Sequence, residues 1–225
     1  MLMSDLNLIR LMQLSSSALP IGGFTYSQGL EWAVECQWVK TEDDLRNWLL
    51  DLIHTNLQFL EIPLFARMML ACQAGDMEAL SYWSDNLLAQ RETSELRLEE
   101  HNRGRAMAKL LLDLELSIST EWYTIIQQSQ TASFALASHQ WHIPLEQAAQ
   151  GFAWAWLENS VISGVKLVPL GQVAGQRILR DLTASLSQAV AEGLYLDDDT
   201  IGCSSPALAY VSAKHETQYT RLFRS

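Results

Sequence analysis

Apolar residues recur at helical spacing along most of the chain, and this pattern restricts the fold more than any other feature. Leu45, Trp48, Leu49, Leu52 and Ile53 fall at i, i+3, i+4, i+7 and i+8, on one face of a helix. Two further stripes share this spacing: Met107, Leu110, Leu111, Leu114 and Ile118, and Leu179, Leu182, Leu186 and Val190. Sustained polar–apolar alternation and Asn-Gly turns are absent from the sequence. We therefore predict an all-α, single-domain helical bundle of about eight to ten helices over residues 1–225.

Local signals mark where some of these helices begin and which side faces water. Thr41 precedes the first stripe, and Asp44 follows three residues later, which approximates a capping box. Glu99 and Arg103 are four residues apart, and this spacing of opposite charges predicts an ion pair on a solvent-facing helix flank.

The charge of the chain limits its partners. A net charge of −11 and a pI of about 4.8 argue against nucleic acid, which requires a basic footprint, and against an anionic membrane surface. They permit a basic protein partner, or cations attracted by a negative field. The most apolar run, Phe152 to Leu157, is far shorter than the ~20 residues of a membrane span.

The N-terminus and the cysteines indicate the compartment. Residues 1–18 are apolar, but Asp5 and Arg10 interrupt them and no basic segment precedes them, so we predict an amphipathic helix rather than a signal peptide. The three cysteines form no spaced pair, which is typical of a reducing compartment. Both features favour the cytoplasm.

Common catalytic and metal-binding signatures are missing. The sequence has no phosphate-binding P-loop, no dinucleotide-binding glycine motif and no nucleophile elbow. His215-Glu216 begins like a zinc-protease motif, but Tyr219 stands where the second histidine belongs. His139 and His142 have a spacing that suits a shared metal, yet they precede a proline where the helix is expected to end. We therefore predict a binding protein with no catalytic residues and no resident metal.

Two internal segments differ from a generic bundle. In the first, Pro20 fixes φ, and Gly22 and Gly23 permit backbone angles closed to other residues, so the turn sets the entry of the next helix. That helix carries three candidate contact residues: Phe24, Ser27 and Glu31. A simple interhelix turn is the alternative interpretation.

The second segment spans residues 159–176. Gly171 and Gly175 are one helical turn apart, so another backbone could approach closely, either within the chain or across a dimer. Lys166 lies in an otherwise apolar stretch, from which it reaches either water or a partner's carboxylate.

The C-terminal tail, residues 206–225, is unusually rich in side chains that make contacts. A chain end is usually polar and frayed. Here two aromatic residues, a histidine and three cations lie within the last twelve positions. This composition predicts that something docks on the tail.

Three motifs resemble one known family. Residues 18–31 (ALPIGGFTYSQGLE), 165–172 (VKLVPLGQ) and 215–225 (HETQYTRLFRS) together look like UreF, the urease accessory protein family. The resemblance runs from about Leu8 to the last residue. Residues 95–112, which include Arg103 and Arg105, resemble the long helix of the family.

The resemblance implies an all-α protein that is not an enzyme. Family members dimerise, bind the accessory protein UreD (also called UreH) and recruit the GTPase UreG, and the assembly inserts nickel into apo-urease. The N-terminal segment and the tail of the family are associated with UreD binding. The resemblance places that role on Pro20, Gly22, Gly23, Phe24, Ser27, Glu31, His215, Glu216, Tyr219, Arg221, Phe223 and Arg224. Candidates for UreG or dimer contacts are Lys166, Gly171, Gln172, Gly175, Arg103 and Arg105.

The mechanism has alternatives at this stage. We expect the tail to be weakly ordered alone and to fold on UreD, with Leu222 and Phe223 as apolar anchors and Arg221 and Arg224 as donors to carboxylates. The chain would then be a scaffold. One alternative is a GTPase activator that supplies an arginine finger to UreG, and another is a direct nickel carrier.

Overall fold

The computed structural model describes residues 4–225, which form helices joined by short connections. The α-helices are α1 (Asp5–Leu14), α2 (Leu30–Glu35), α3 (Glu42–Leu52), α4 (Ile62–Ala74), α5 (Met77–Ala89), α6 (Ser94–Asp113), α7 (Thr120–Ile126), α8 (Gln130–Gln140), α9 (Leu145–Leu167), α10 (Gln172–Gly193) and α11 (Pro206–His215). Short 3-10 turns occupy Gly23–Thr25 and Asp198–Thr200. A π-helical segment, Ile53–Glu61, joins α3 and α4 into one continuous rod.

This architecture confirms the prediction of an all-α bundle. With the α3–α4 rod taken as one unit, residues 4–225 hold ten helical units and no strand. The predicted N-terminal helix forms as α1, while residues 1–3 of that prediction lie outside the described part of the chain. Within the described part, no helix has the length and hydropathy that a membrane crossing requires.

Side-chain caps begin many of the helices. Each capping side chain accepts a hydrogen bond from the third helical N–H, a contact worth about 1 kcal/mol. The caps of this kind are Ser4, Thr41, Asp76, Thr93, Ser119 and Ser129. The predicted capping box of Thr41 and Asp44 is confirmed, with both of its hydrogen bonds present. The second predicted stripe ends early, because α6 stops at Asp113 and Glu115 adopts a left-handed φ of 61°.

Three phenylalanines mark the centre of the core. Phe65 stacks on Phe152 with ring centroids 5.0 Å apart, and Phe134 meets both rings edge-on. These rings bring α4, α8 and α9 together. Because α8 and α9 are both enclosed, their apolar residues are not confined to one stripe.

The π-helical segment connects the rod to the C-terminal part of the chain. Its wider turns free the Phe59 carbonyl, which accepts a hydrogen bond from the Gly202 N–H at 3.0 Å. The Asn56 side chain accepts from the Ser205 N–H at 2.9 Å, and the Gln58 amide donates to Glu192 at 2.7 Å. The apolar period predicts a helix here but not its widening.

Gly104 permits a close approach of α6 to the start of α8. A Cβ at this position would lie 2.8 Å from the Gln127 carbonyl oxygen and from Ser129 backbone atoms. Backbone cannot move aside as a side chain can, so only glycine lets α6 approach the start of α8 this closely.

We predict that Gly104→Ala lowers the free energy of unfolding by about 1–3 kcal/mol, because overpacking outweighs the gain in helix propensity. Lys109→Ala, at an exposed position of the same helix, is the control and should change stability little. Chemical denaturation followed by circular dichroism measures both. A Gly104→Ala chain as stable as the parent would contradict the packing described here.

Candidate functional site

Two glycines shape the turn that leads into α2. Gly22 and Gly29 have φ values of 73° and 79°, in the left-handed region that favours glycine. Gly29 also lies against α11, because a Cβ there would sit 2.8 Å from the Val211 side chain and 2.9 Å from the Ser212 nitrogen. The turn therefore brings α2 directly onto α11, and the tail that follows α11 returns to the same place.

The tail docks on its own chain. The Arg224 N–H donates to the Thr25 carbonyl at 2.9 Å, and the Ser27 N–H and hydroxyl donate to the Ser225 carbonyl at 2.8 and 2.5 Å. Phe223 and Ser225 are buried. The expectation of a tail that is weakly ordered alone is therefore wrong for this structure, and Phe223 is an internal anchor rather than a side chain available to a partner.

Glu31 is the carboxylate that holds the tail backbone. It is buried on α2 and accepts hydrogen bonds from the Leu222 N–H at 2.6 Å and the Phe223 N–H at 2.9 Å. The same carboxylate lies 3.2 Å from Nε2 of His215, whose ring is completely buried. Glu31 is thus a support beneath the surface, since the tail covers it.

Two carboxylates of α6 complete the tail's binding site. Glu95 lies 2.7 Å from Nδ1 of His215 and pairs with Arg221 at 2.5 Å. Glu99 accepts from the Ser225 hydroxyl at 2.9 Å and pairs with Arg103 at 2.8 Å. The Glu99–Arg103 pair forms as predicted, but Glu99 is only 3% exposed, so its prediction as a solvent-facing flank is wrong. The tail covers that flank.

Glu216 connects the tail to the start of α6. One of its oxygens accepts from the Ser94 N–H at 2.8 Å, the Ser94 hydroxyl at 2.6 Å and the Glu95 N–H at 3.2 Å. The hydrogen bond from Ser94 lowers the pKa of the Glu216 carboxyl below its usual value. A carboxylate at a helix N-terminus is favourable because the first N–H groups have no partner within the helix.

A buried ionic cluster lies on the other side of α6. Arg91 pairs with Glu100 at 2.9 Å and with Glu61 of the π-helical segment. Burial raises the pKa of Glu61. Burial would also raise the pKa of Glu100, but the Arg91 charge and a 2.7 Å hydrogen bond from Ser129 outweigh it and lower that pKa to about 2.

Only part of the predicted contact set faces solvent. In the turn, Phe24 and Pro20 are exposed, while Gly22 is half-buried and Gly23 and Ser27 are buried. Among the tail residues predicted to contact a partner, the exposed ones are Glu216, Tyr219, Arg221, Leu222 and Arg224. We call Phe24, Tyr219, Leu222 and Arg224 the tail surface. Sequence reasoning missed the roles of Glu95 and Ser225.

In the second predicted segment, Gly171 and Gly175 do not act together as a pair of small residues at one contact. Gly175 is buried against Val165 of α9, whereas Gly171 faces open space at the cap of α10. The close approach predicted for this spacing therefore occurs at Gly175 alone, and within the chain. Lys166 and Gln172 are exposed and line a cleft of about 200 Å³ between α9 and α10.

The two arginines of α6 differ in their surroundings. Arg103 is mostly buried and held by Glu99, so it cannot extend towards a partner without breaking that pair. Arg105 is exposed and has no ion-pair partner among residues 4–225. In that described part of the chain, no three His, Cys, Asp or Glu side chains are grouped as metal ligands.

A separate apolar groove lies between α1, α9 and α10. It has a volume of about 520 Å³, and its lining includes Leu8, Met12, Trp154 and Leu186. On α1 itself the apolar side chains of Leu6, Leu8, Ile9 and Met12 are exposed. Exposed apolar side chains gathered in this way are typical of protein-binding surfaces.

We predict that Glu100→Gln lowers the free energy of unfolding at pH 7 by about 3 kcal/mol, because it removes one partner of a buried ion pair. The folded pKa of about 2 lies below the unfolded value of ~4.3. The contribution of Glu100 is therefore complete above pH ~4.3 and is lost as the pH falls towards 2.

The difference in the free energy of unfolding between the parent and Glu100→Gln should accordingly become smaller below pH ~4.3 when it is measured by denaturant titration. Glu35→Gln, at an exposed carboxylate of α2, is the control and should change stability little. An undiminished difference at pH 3 would contradict the assigned pKa.

Comparison with known proteins agrees with the three motifs. A family model described as UreF matches residues 39–183. A urease accessory protein UreF from Pseudomonas putida is 52% identical over 222 residues, which cover 99% of each chain. Proteins of the same name from Alcanivorax borkumensis and Citrobacter koseri are 50% and 45% identical, over 99% and 96% of this chain and 100% and 97% of theirs. The chain therefore belongs to the UreF family of urease accessory proteins.

Proposed function

We propose that this chain is a non-enzymatic scaffold of urease maturation in the cytoplasm. It binds UreD (UreH), recruits the GTPase UreG, and works as a homodimer with the apo-urease subunits while nickel is inserted. The observation that carries this proposal is the docked tail. Its inner side packs against the rest of the chain, and its outer side presents apolar and cationic side chains to solvent. Family membership and the relatives' printed name support the role in urease maturation.

The docked tail is suited to binding because contacts within the chain already compensate for the conformational entropy lost when the tail becomes ordered. Fixing a residue's backbone costs about 1–2 kcal/mol of conformational entropy. Glu31, Glu95 and Glu99 hold the tail before any partner arrives, so a partner that binds Leu222 or Tyr219 gains affinity from pre-organisation. We therefore propose that UreD binds the preformed tail surface, rather than a tail that folds only when UreD binds it.

The apolar face of α1 supports a second contact with UreD. Leu6, Ile9 and Met12 are exposed at successive turns, and the groove beside them is wide enough for several side chains. An amphipathic partner segment could bury its apolar side there. This contact on α1 would add to the one that the resemblance places on the turn at residues 18–31 and on the tail.

We assign UreG and the second copy of this chain to the remaining exposed candidates, Lys166, Gln172 and Arg105. Lys166 and Gln172 border the cleft between α9 and α10, and Arg105 projects from α6. Arg103 is withdrawn as a contact candidate because Glu99 holds it. If UreG receives an arginine finger, Arg105 is the side chain with the freedom to supply it. We favour the scaffold, since no hydrogen bond or ion pair from residues 4–225 orients Arg105 for catalysis. Direct nickel carriage stays an untested alternative.

Replacing Leu222 tests the tail surface. The side chain is exposed while its backbone N–H holds Glu31, so Leu222→Ser removes the apolar contact and keeps the docking bond. Burying a leucine is worth about 1.5–3 kcal/mol, so we expect roughly tenfold to hundredfold weaker binding to purified UreD.

Leu70→Ser, at an exposed leucine of α4, is the matched control and should bind UreD normally. Isothermal titration calorimetry measures binding, and thermal melting confirms that both variants stay folded. Unchanged UreD affinity in Leu222→Ser would remove the tail surface from the interface.

GTP hydrolysis by UreG separates the scaffold from the activator. An arginine finger is worth about 10³–10⁵ in rate, so Arg105→Ala should leave hydrolysis within about twofold if the chain is a scaffold. Lys109→Ala, one turn further along α6, is the control for loss of a surface cation. A several-hundredfold fall with Arg105→Ala alone would establish the activator instead.

A further inference from the structure

Two buried polar atoms beneath the turn at residues 18–31 have no hydrogen-bond partner among residues 4–225. They are Nε of Arg103 on α6 and Oδ1 of Asn159 on α9. Both side chains line the same small cavity, whose volume is about 20 Å³. Buried polar atoms in native proteins almost always have a partner, either in the protein or in an ordered water. We propose that this cavity binds one ordered water molecule, which joins α6 to α9 beneath the turn.

The two atoms need opposite halves of a hydrogen bond. Nε of Arg103 carries a hydrogen and Oδ1 of Asn159 accepts one, so a water molecule can accept from the first while it donates to the second. Its other hydrogen can bond to Oγ of Ser160, which lines the cavity and already donates its own hydrogen to the Trp156 carbonyl at 2.9 Å. Three polar partners, and a volume above the ~10–15 Å³ that one water needs, meet the usual requirements for buried water.

Other hydrogen bonds fix both side chains in their orientations. The Asn159 amide nitrogen donates to the Ala155 carbonyl at 2.9 Å, so a flipped amide would bring two carbonyl oxygens together. The Arg103 guanidinium is held by Glu99, to which Nη1 donates at 2.8 Å. Neither side chain can turn to satisfy its own orphaned atom without giving up one of these hydrogen bonds.

The charges around the cavity favour a neutral ligand. The Glu99 carboxylate and the Arg103 guanidinium both line it, so an ion of either sign would meet a like charge. In the part of the chain that the structure describes, no three His, Cys, Asp or Glu side chains are grouped as metal ligands. The volume suits one water and is too small for a larger organic ligand. Water both donates and accepts, and therefore fits this lining.

Gly23 leaves room for the site from the side of the turn. A Cβ at Gly23 would lie 3.3 Å from the Asn159 amide nitrogen, which is tighter than an ordinary van der Waals contact. Gly23 is buried, so it contributes space for the amide rather than a contact with a partner. Phe24, the next residue, is exposed on the tail surface. The water site therefore supports the part of the turn that presents Phe24.

Nuclear magnetic resonance of the purified chain tests the site. A bound water gives a cross-peak between the water signal and the Arg103 Nε–H, and the sign of that peak in a rotating-frame experiment separates it from hydrogen exchange. We expect the cross-peak in the parent chain and its loss in Asn159→Leu, which keeps a side chain of similar size and removes the acceptor. Ser160→Ala is the matched control. It removes a hydroxyl that could relay exchange with solvent, leaves the water two partners and should keep the cross-peak.

Absence of this cross-peak in the parent chain would overturn the proposal, as would its persistence in Asn159→Leu. A crystal structure of the parent decides the matter if the variant does not fold, because the water should give density about 2.7–3.2 Å from both Arg103 Nε and Asn159 Oδ1. A direct Arg103–Asn159 hydrogen bond in place of that density would refute the site. None of these measurements needs UreD, so their outcome is independent of the proposed function.

Discussion

The position of the tail depends on one buried carboxylate, that of Glu31. It receives two backbone N–H groups of the tail and faces the ring of His215, so a single side chain fixes both the end of α11 and the chain that follows. Hydrogen bonds to a charged group contribute about 1.5–3 kcal/mol each, well above those between neutral groups. Without them the Leu222 and Phe223 N–H groups would lose their acceptor, and the tail backbone would be held only through Arg224 and Ser225.

Helix α6 takes part in two polar networks, one on each side. One of them binds the tail. One side presents Glu95 and Glu99 to the tail, while the other presents Glu100 to Arg91 and α8. Gly104 lets α6 approach the start of α8, and this contact keeps both networks in register. The charged interior thus follows from a helix whose three covered carboxylates, Glu95, Glu99 and Glu100, all have donors.

Local features of the fold could be predicted from the sequence, and long-range ones could not. The apolar stripes of α3 and α10 and the Thr41 cap depend on neighbours within a few residues, and they appear in the structure. The Glu99–Arg103 pair has the same spacing whether its flank is wet or covered, so sequence alone could not show that the tail covers it. The tail composition predicts that a partner docks on residues 206–225, and this stays a prediction. The first partner of the tail is the chain itself, however, through contacts such as Glu31–Phe223 that span most of the sequence.

The central claim is that the tail is folded in the free chain and thereby prepares a surface for a partner. Hydrogen exchange at the Leu222 and Phe223 amides of the purified protein tests it most directly, because both N–H groups are bound to the Glu31 carboxylate. The account predicts that both amides exchange much more slowly than in a short peptide of residues 214–225, and that Glu31→Ala removes this protection. Exchange at the peptide rate in the parent chain would contradict it.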